Sequence, residues 1–187
     1  FLKLAEEGKY ANRGFQALLN NPEALITQLT ALSLAQKNYP EAKLWVMAPM
    51  VTSFAHAEKF VSMAKTLGLE TVGVMIEVPE VCEPSVLEEI VSVVDFLSIG
   101  TNDLTQYTLN QDRLSSVLPV TSVREPEVME LIKRVTEACV AADIPIGICG
   151  EAACDYESAK LFIEYGVTSL SASPALLPGL ARELSFL

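Results

Sequence analysis

Phe96-Leu97-Ser98-Ile99-Gly100-Thr101-Asn102-Asp103-Leu104-Thr105-Gln106-Tyr107 reads as a short apolar strand that stops at glycine, meets a polar cluster and enters a helix. Four other apolar runs flank it, and we place strands at Leu44 to Ala48, Thr71 to Val78, Phe96 to Gly100, Pro145 to Cys149 and Ser169 to Ala172. Helical patterns separate them. Asn21 precedes Pro22 at a first helical position, with Leu25, Leu29 and Leu32 on one face. Ser53 caps the helix of Phe54, Phe60 and Ala64, Pro126 opens one that buries Val128, Leu131, Ile132, Val135 and Cys139, and Asp155 starts another. Alternation of strand and helix predicts an α/β fold with a parallel sheet, and the near-continuous apolar strands predict a sheet covered on both faces.

Strand starts recur roughly every 25 residues, as βα units do. The interval from Phe96 to Pro145 is about twice that. We read it as one unit with a long loop, because Pro119 and the Ser/Thr content make Val117 to Val123 a poor central strand. Five strands cannot close an eight-stranded barrel. No linker or internal duplication divides residues 1–187, which read as one domain.

Composition narrows the function. Half the 187 residues are hydrophobic and a fifth are charged, which is a globular balance. A net charge of −11 argues against a nucleic-acid partner, which needs clustered Lys and Arg. Apolar runs such as Leu44 to Met50 are far short of a membrane span. No basic-then-apolar leader stands at the start, so the expected location is cytoplasmic, and a chain beginning at Phe1 leads us to expect sequence upstream of it. Cys82, Cys139, Cys149 and Cys154 lack metal-ligand spacing, and a core this apolar needs no disulfide framework.

In parallel sheets ligands gather at the carboxyl ends of the strands. Asn102 and Asp103 stand at one such end, although Thr-Asn-Asp can also simply cap a helix. Glu77 ends another apolar strand, where an unpaired carboxylate would be costly. If the two strands are neighbours, about 4.8 Å apart, Glu77 and Asp103 can share one cation. Two carboxylates with waters and substrate oxygens suit magnesium, and a salt bridge from Glu77 to an arginine is a compatible alternative. Cys149, between glycines at a third strand end, is a candidate nucleophile or proton donor, whereas Cys82 and Cys139 read as small buried hydrophobes. Arg113 and Arg13 are the cations to weigh for an anionic ligand. His56 reads as structural or exposed.

The nineteen residues from Asp95 to Arg113 closely resemble the signature of the phosphoenolpyruvate-binding barrel shared by enzyme I of the bacterial sugar phosphotransferase system, phosphoenolpyruvate synthase and pyruvate phosphate dikinase. Gly73 to Pro79, Met47 to Met50, Cys149-Gly150-Glu151 and the segment from Arg13 to Glu23 fall in that family's order. Thr-Asn-Asp-Leu-Thr-Gln-Tyr and Cys-Gly-Glu look most like enzyme I. The resemblance implies the C-terminal five βα units of a (βα)8 TIM barrel. It implies Glu77 and Asp103 as Mg2+ ligands, Arg13, Asn102, Asp103 and Arg113 as contacts to phosphoenolpyruvate, and Cys149 as the proton donor to the enolate. It implies transfer of phosphoryl to a histidine on another domain, release of pyruvate, a phosphocarrier protein as partner, a homodimer, and a role in sugar transport.

The chain also departs from the family. Gln16 stands where a second arginine is usual, and the loop from Leu114 to Glu125 lacks the usual aromatic and His-Pro elements. Three barrel strands with two further arginines, and the phosphohistidine domain, would precede Phe1. On these grounds a degenerate non-catalytic relative remains an alternative, as does a Mg2+-dependent barrel lyase or aldolase acting on a small oxoacid.

Overall fold

Runs rich in β-branched and other apolar residues become five strands: β1 Trp45–Ala48, β2 Thr71–Ile76, β3 Phe96–Gly100, β4 Ile146–Cys149 and β5 Ser169–Ser171. The computed structural model describes residues 13–111 and 119–185. Between and around the strands lie α1 Gly14–Leu19, α2 Pro22–Asn38, α3 Phe54–Thr66, α4 Pro84–Val91, α5 Thr101–Thr108, α6 Pro126–Ala141, α7 Tyr156–Tyr165 and α8 Leu177–Leu184. Every expected strand is present, each end within two residues of its expected place. The start signals also act as read. The side chains of Asn21, Ser53 and Asp155 accept bonds from the amides of Ala24, His56 and Ser158, and Pro126 opens α6.

All neighbours pair in parallel, and the sheet order is β1-β2-β3-β4-β5. That sequential order fixes the architecture. Right-handed crossovers that always step the same way place every connecting helix on one side of the sheet, which is the winding of a barrel and not of a doubly wound sheet. On the helix side, Val46, Ala48, Val72, Val74, Ile76, Leu97, Ile99, Ile146 and Ile148 are buried against Phe60, Leu87, Ile90, Ile132, Val135 and Phe162. Complete burial of a side chain such as Ile99 or Leu97 stabilises by about 1.5–3 kcal/mol.

The expectation of a sheet covered on both faces is corrected here. Alternation along the strands points Trp45 and Met47 to the other face, where they are 48% and 38% exposed, and Ser169 and Ser171 are exposed on the same face at the opposite edge of the sheet. On this side Trp45 packs on Phe96, ring centroids 4.8 Å apart. The five strands form an open sheet, and this face corresponds to the interior of a barrel.

The doubled interval after β3 holds no strand among its described residues. Val120–Arg124 is a 3-10 turn that buries Val123. At the amino-terminal edge of the sheet, Lys65 joins the Glu70 carbonyl (2.7 Å) to the Asp95 carboxylate, which also accepts from the Val72 amide at 2.7 Å. That edge is stapled, and the chemistry-bearing residues lie at the other.

Candidate functional site

The register of the strands brings the predicted groups to one rim. Ile76 pairs with Ile99 and Gly100 with Cys149, so Glu77, one residue beyond β2, falls in the row of Gly100 and Cys149. Glu77 is buried at 9% exposure. Its Oε2 accepts from the Met50 amide at 2.7 Å. Met50 follows β1 with φ +40, and this twist turns its N–H toward the next strand. Gly100 clears the space: a Cβ there would lie 2.5 Å from Glu77 Oε1.

The polar cluster after Gly100 does not cap its helix. Gly100 is the N-cap residue of α5, with no side-chain cap bond. Thr101, 1% exposed, donates from Oγ1 to the Cys149 carbonyl at 2.9 Å. Asn102 Oδ1 accepts from the Glu151 amide at 3.3 Å. Asp103 Oδ1 accepts from Arg13 Nη2 at 2.9 Å. Three consecutive side chains thus reach across to other segments, against the capping alternative. Gly150 completes the fit with φ +105, and a Cβ on it would strike Thr101 Oγ1.

Arg13 reaches the rim because the residues after it are anchored. Gly14 has φ +58 and lies flat on Met50, and the Phe15 amide donates to the Pro49 carbonyl at 3.0 Å. The Phe15 ring is fully buried, edge-on to His56 and Phe60. Besides Asp103, the Arg13 guanidinium donates from Nη1 to Tyr107 Oη at 2.5 Å. Gln16 donates from Nε2 to Asn20 Oδ1 at 3.5 Å, at the end of α1. Arg113 lies outside the described residues.

Electrostatics follow from burial and neighbours. Burial, and next the Asp103 charge, push Glu77 above the usual carboxylate range, while the Met50 amide and Arg13 pull the other way. Burial also raises the Cys149 thiol, a hydrogen bond from Ser98 lowers it, and Glu77 raises it again. The net rise keeps the thiol protonated at neutral pH. Its Sγ lies 3.6 Å from the Ile99 carbonyl. Burial disfavours the Arg13 charge, but Asp103 and Tyr107 outweigh it and hold the guanidinium charged. Burial raises the Tyr107 phenol, so its hydroxyl stays intact.

The remaining candidates are structural. His56, lowered by burial and then by Lys59, sits near Thr52, its Nδ1 3.1 Å from Thr52 Oγ1. Cys82 and Cys139 are buried thiols pushed up to about 12. Sequence reading passed over Ser98, Thr101, Tyr107 and the Met50 amide. Only Tyr107 left a signal, standing four residues after Asp103 on one helix face.

Two carboxylates fit a hard divalent cation of the magnesium type. Such an ion takes one or two carboxylates and completes its shell with water and ligand oxygens. The Asp103 charge raises the cost of charging Glu77, and a cation between the two would reverse that sign. Among the described residues no group of three His, Cys, Asp or Glu gathers. No helix among them is long and apolar enough to cross a membrane.

Comparison with known proteins bears on this site. The family model described as PEP-utilising enzyme, PEP-binding domain, matches residues 10–185. A phosphoenolpyruvate-protein phosphotransferase of Streptomyces coelicolor is 42% identical over 177 residues, 92% of this chain and 31% of that protein. A phosphoenolpyruvate synthase of Pyrococcus furiosus is 35% identical, over 87% of this chain and 20% of that one. A multiphosphoryl transfer protein of Rhodobacter capsulatus is 34% identical, over 92% and 21%. The chain therefore spans a third or less of the length of these relatives. Among solved structures, an aldolase/citrate lyase family protein of Burkholderia cenocepacia aligns with TM-score 0.54 at 18% identity, over 82% of this chain and 68% of that one. The citrate lyase beta subunit of M. tuberculosis, complexed with oxaloacetate and magnesium, aligns with TM-score 0.55 at 15% identity, over 79% and 64%. These last two likenesses concern the fold.

Proposed function

Because the chain belongs to the PEP-binding domain family of PEP-utilising enzymes, we propose that it supplies the metal-binding and proton-donating part of a phosphoenolpyruvate site in an enzyme I-like phosphotransferase. The reaction moves phosphoryl from phosphoenolpyruvate to a histidine on another domain, from which a phosphocarrier protein takes it for sugar uptake in the cytoplasm. The observation that carries this reading is the row of Glu77, Gly100 and Cys149 across three adjacent strand ends, with Asp103 and Arg13 joined above it.

Glu77 and Asp103 would hold Mg2+ through carboxylate oxygens. When bound, the ion supplies positive charge against the phosphoryl and enolate oxygens. The protein's own groups do the rest. Arg13 is a fixed cation for the anionic ligand, and Asn102 and Arg113 are further binding residues on the family's pattern. The P–O bond to the enol oxygen breaks, phosphoryl passes to the acceptor nitrogen, and the oxygen keeps the electron pair as an enolate. Its electrons return to the carbonyl as the methylene carbon takes the Cys149 proton, giving pyruvate and a thiolate that solvent reprotonates. The raised thiol suits this role, since a protonated sulfur donates but is a poor nucleophile.

The lyase and aldolase neighbours share the winding at 15% and 18% identity, which brings no reaction with it. Titration of phosphoenolpyruvate with Mg2+ and with chelator, and pyruvate release with and without a histidine-bearing partner domain, test the proposal. Metal-dependent binding and partner-dependent release are expected. Robust turnover by the chain alone, or binding indifferent to Glu77→Gln, would sink it.

A further inference from the structure

We propose that Tyr107 is a positioning residue that holds the Arg13 guanidinium at the rim independently of Asp103; its link to affinity rests on the phosphoenolpyruvate reading. Asp103 and Tyr107 are four residues apart on α5 and present their polar atoms on one helix face. Arg13 spans both, Nη1 to the phenol oxygen and Nη2 to the carboxylate, across 94 and 90 residues of sequence. The guanidinium carbon also lies 5.8 Å from the centre of the Tyr107 ring.

The two holds differ in kind. Asp103 is the carboxylate that a cation would share, and a cation there competes for its lone pairs and repels the guanidinium. Tyr107 is neutral, so its hold persists when the cation is bound. The Arg13 side chain is 46% exposed, and an ion pair that accessible fixes geometry weakly by itself. A second, uncharged anchor is what keeps the fork in one orientation. Five N–H donors serve a guanidinium and these bonds use two, which leaves donors for an anion.

The test compares Tyr107→Phe with wild type, retaining the ring and deleting the oxygen. In the chain labelled with 15N-arginine, restrained rotation should give Arg13 separate Nη proton resonances, and Tyr107→Phe should merge them, with or without Mg2+. Affinity for phosphoenolpyruvate in Mg2+ should fall about tenfold to 100-fold, the worth of one hydrogen bond to a charged group. In an Arg13→Ala background the same substitution should change affinity no further. Unaltered Arg13 resonances in Tyr107→Phe would overturn the proposal, as would an equal loss of affinity in the Arg13→Ala background. Failure of wild type to bind phosphoenolpyruvate would sink the substrate reading, while the resonance measurement still decides whether Tyr107 holds Arg13.

Discussion

Replacing Gly100 by alanine tests whether the rim depends on the packing of one carboxylate. The backbone at Gly100 has φ −89 and ψ 93, which alanine adopts freely, so the effect comes from the added methyl. That methyl would lie 2.5 Å from Glu77 Oε1, 2.6 Å from Cγ and 2.9 Å from Cδ. Glu77 cannot retreat without leaving the Met50 amide, 2.7 Å from its other oxygen. Overpacking of this kind costs about 1–3 kcal/mol, and losing a hydrogen bond to a charged group costs about 1.5–3 kcal/mol. The protein takes the cheaper course. Reduced freedom of the unfolded chain returns about 0.4–1 kcal/mol. The net loss is about 1–2 kcal/mol, or a melting temperature lower by about 3–6 °C for a chain of this size. Mg2+-dependent affinity for phosphoenolpyruvate should fall about 10–100-fold, as when a metal ligand is moved off its geometry. Thermal melts of Gly100→Ala, Glu77→Ala and the double variant decide the matter. With the Glu77 side chain gone, Gly100→Ala should become neutral or stabilising. If it costs the same in both backgrounds, the contact with Glu77 is not the cause.

Cys149→Ser should keep phosphoenolpyruvate binding by calorimetry but slow pyruvate release about 100-fold, because a hydroxyl is a far weaker acid than a thiol. Thr101→Val removes a donor to the Cys149 carbonyl from a side chain that is itself buried, and denaturant unfolding should register a loss of about 1–2 kcal/mol. Asp155→Ala removes the cap of α7 and should cost about 1 kcal/mol at neutral pH. Desolvation alone would raise Asp155, but its two bonds from Ser158 and the nearby Arg124 lower it below the usual 3.8. A depressed folded pKa gives stability that is full above that value and fades as pH falls through the lower folded one. The gap between wild type and Asp155→Ala should therefore close at the acid end of a pH series of melts, and a gap constant with pH would refute the assignment.

Much of the fold was legible because βα units advertise themselves locally. The side chains of Val72, Val74 and Ile76 alternate onto a buried face, and Asn21, Ser53 and Asp155 each need only an amide three residues on. The sheet's open face was misread because an apolar run such as Trp45 to Ala48 looks the same whether or not something covers Trp45 and Met47. The Thr101–Asp103 cluster was ambiguous for a similar reason: a capping side chain and one that reaches across a rim have the same composition.

Amino-acid order alone settled which residues sit at strand ends, since hydrophobic runs and the breaks after them are local properties. It placed Glu77, Asn102, Asp103 and Cys149 at such ends one by one. What stands opposite each was decided by tertiary structure: the Met50 amide for Glu77, Arg13 and with it Tyr107 for Asp103, Thr101 for the Cys149 carbonyl. Met50, Arg13 and Thr101 lie 27 to 90 residues from the groups they face. Register and winding bring them within bonding distance, and no local pattern encodes either.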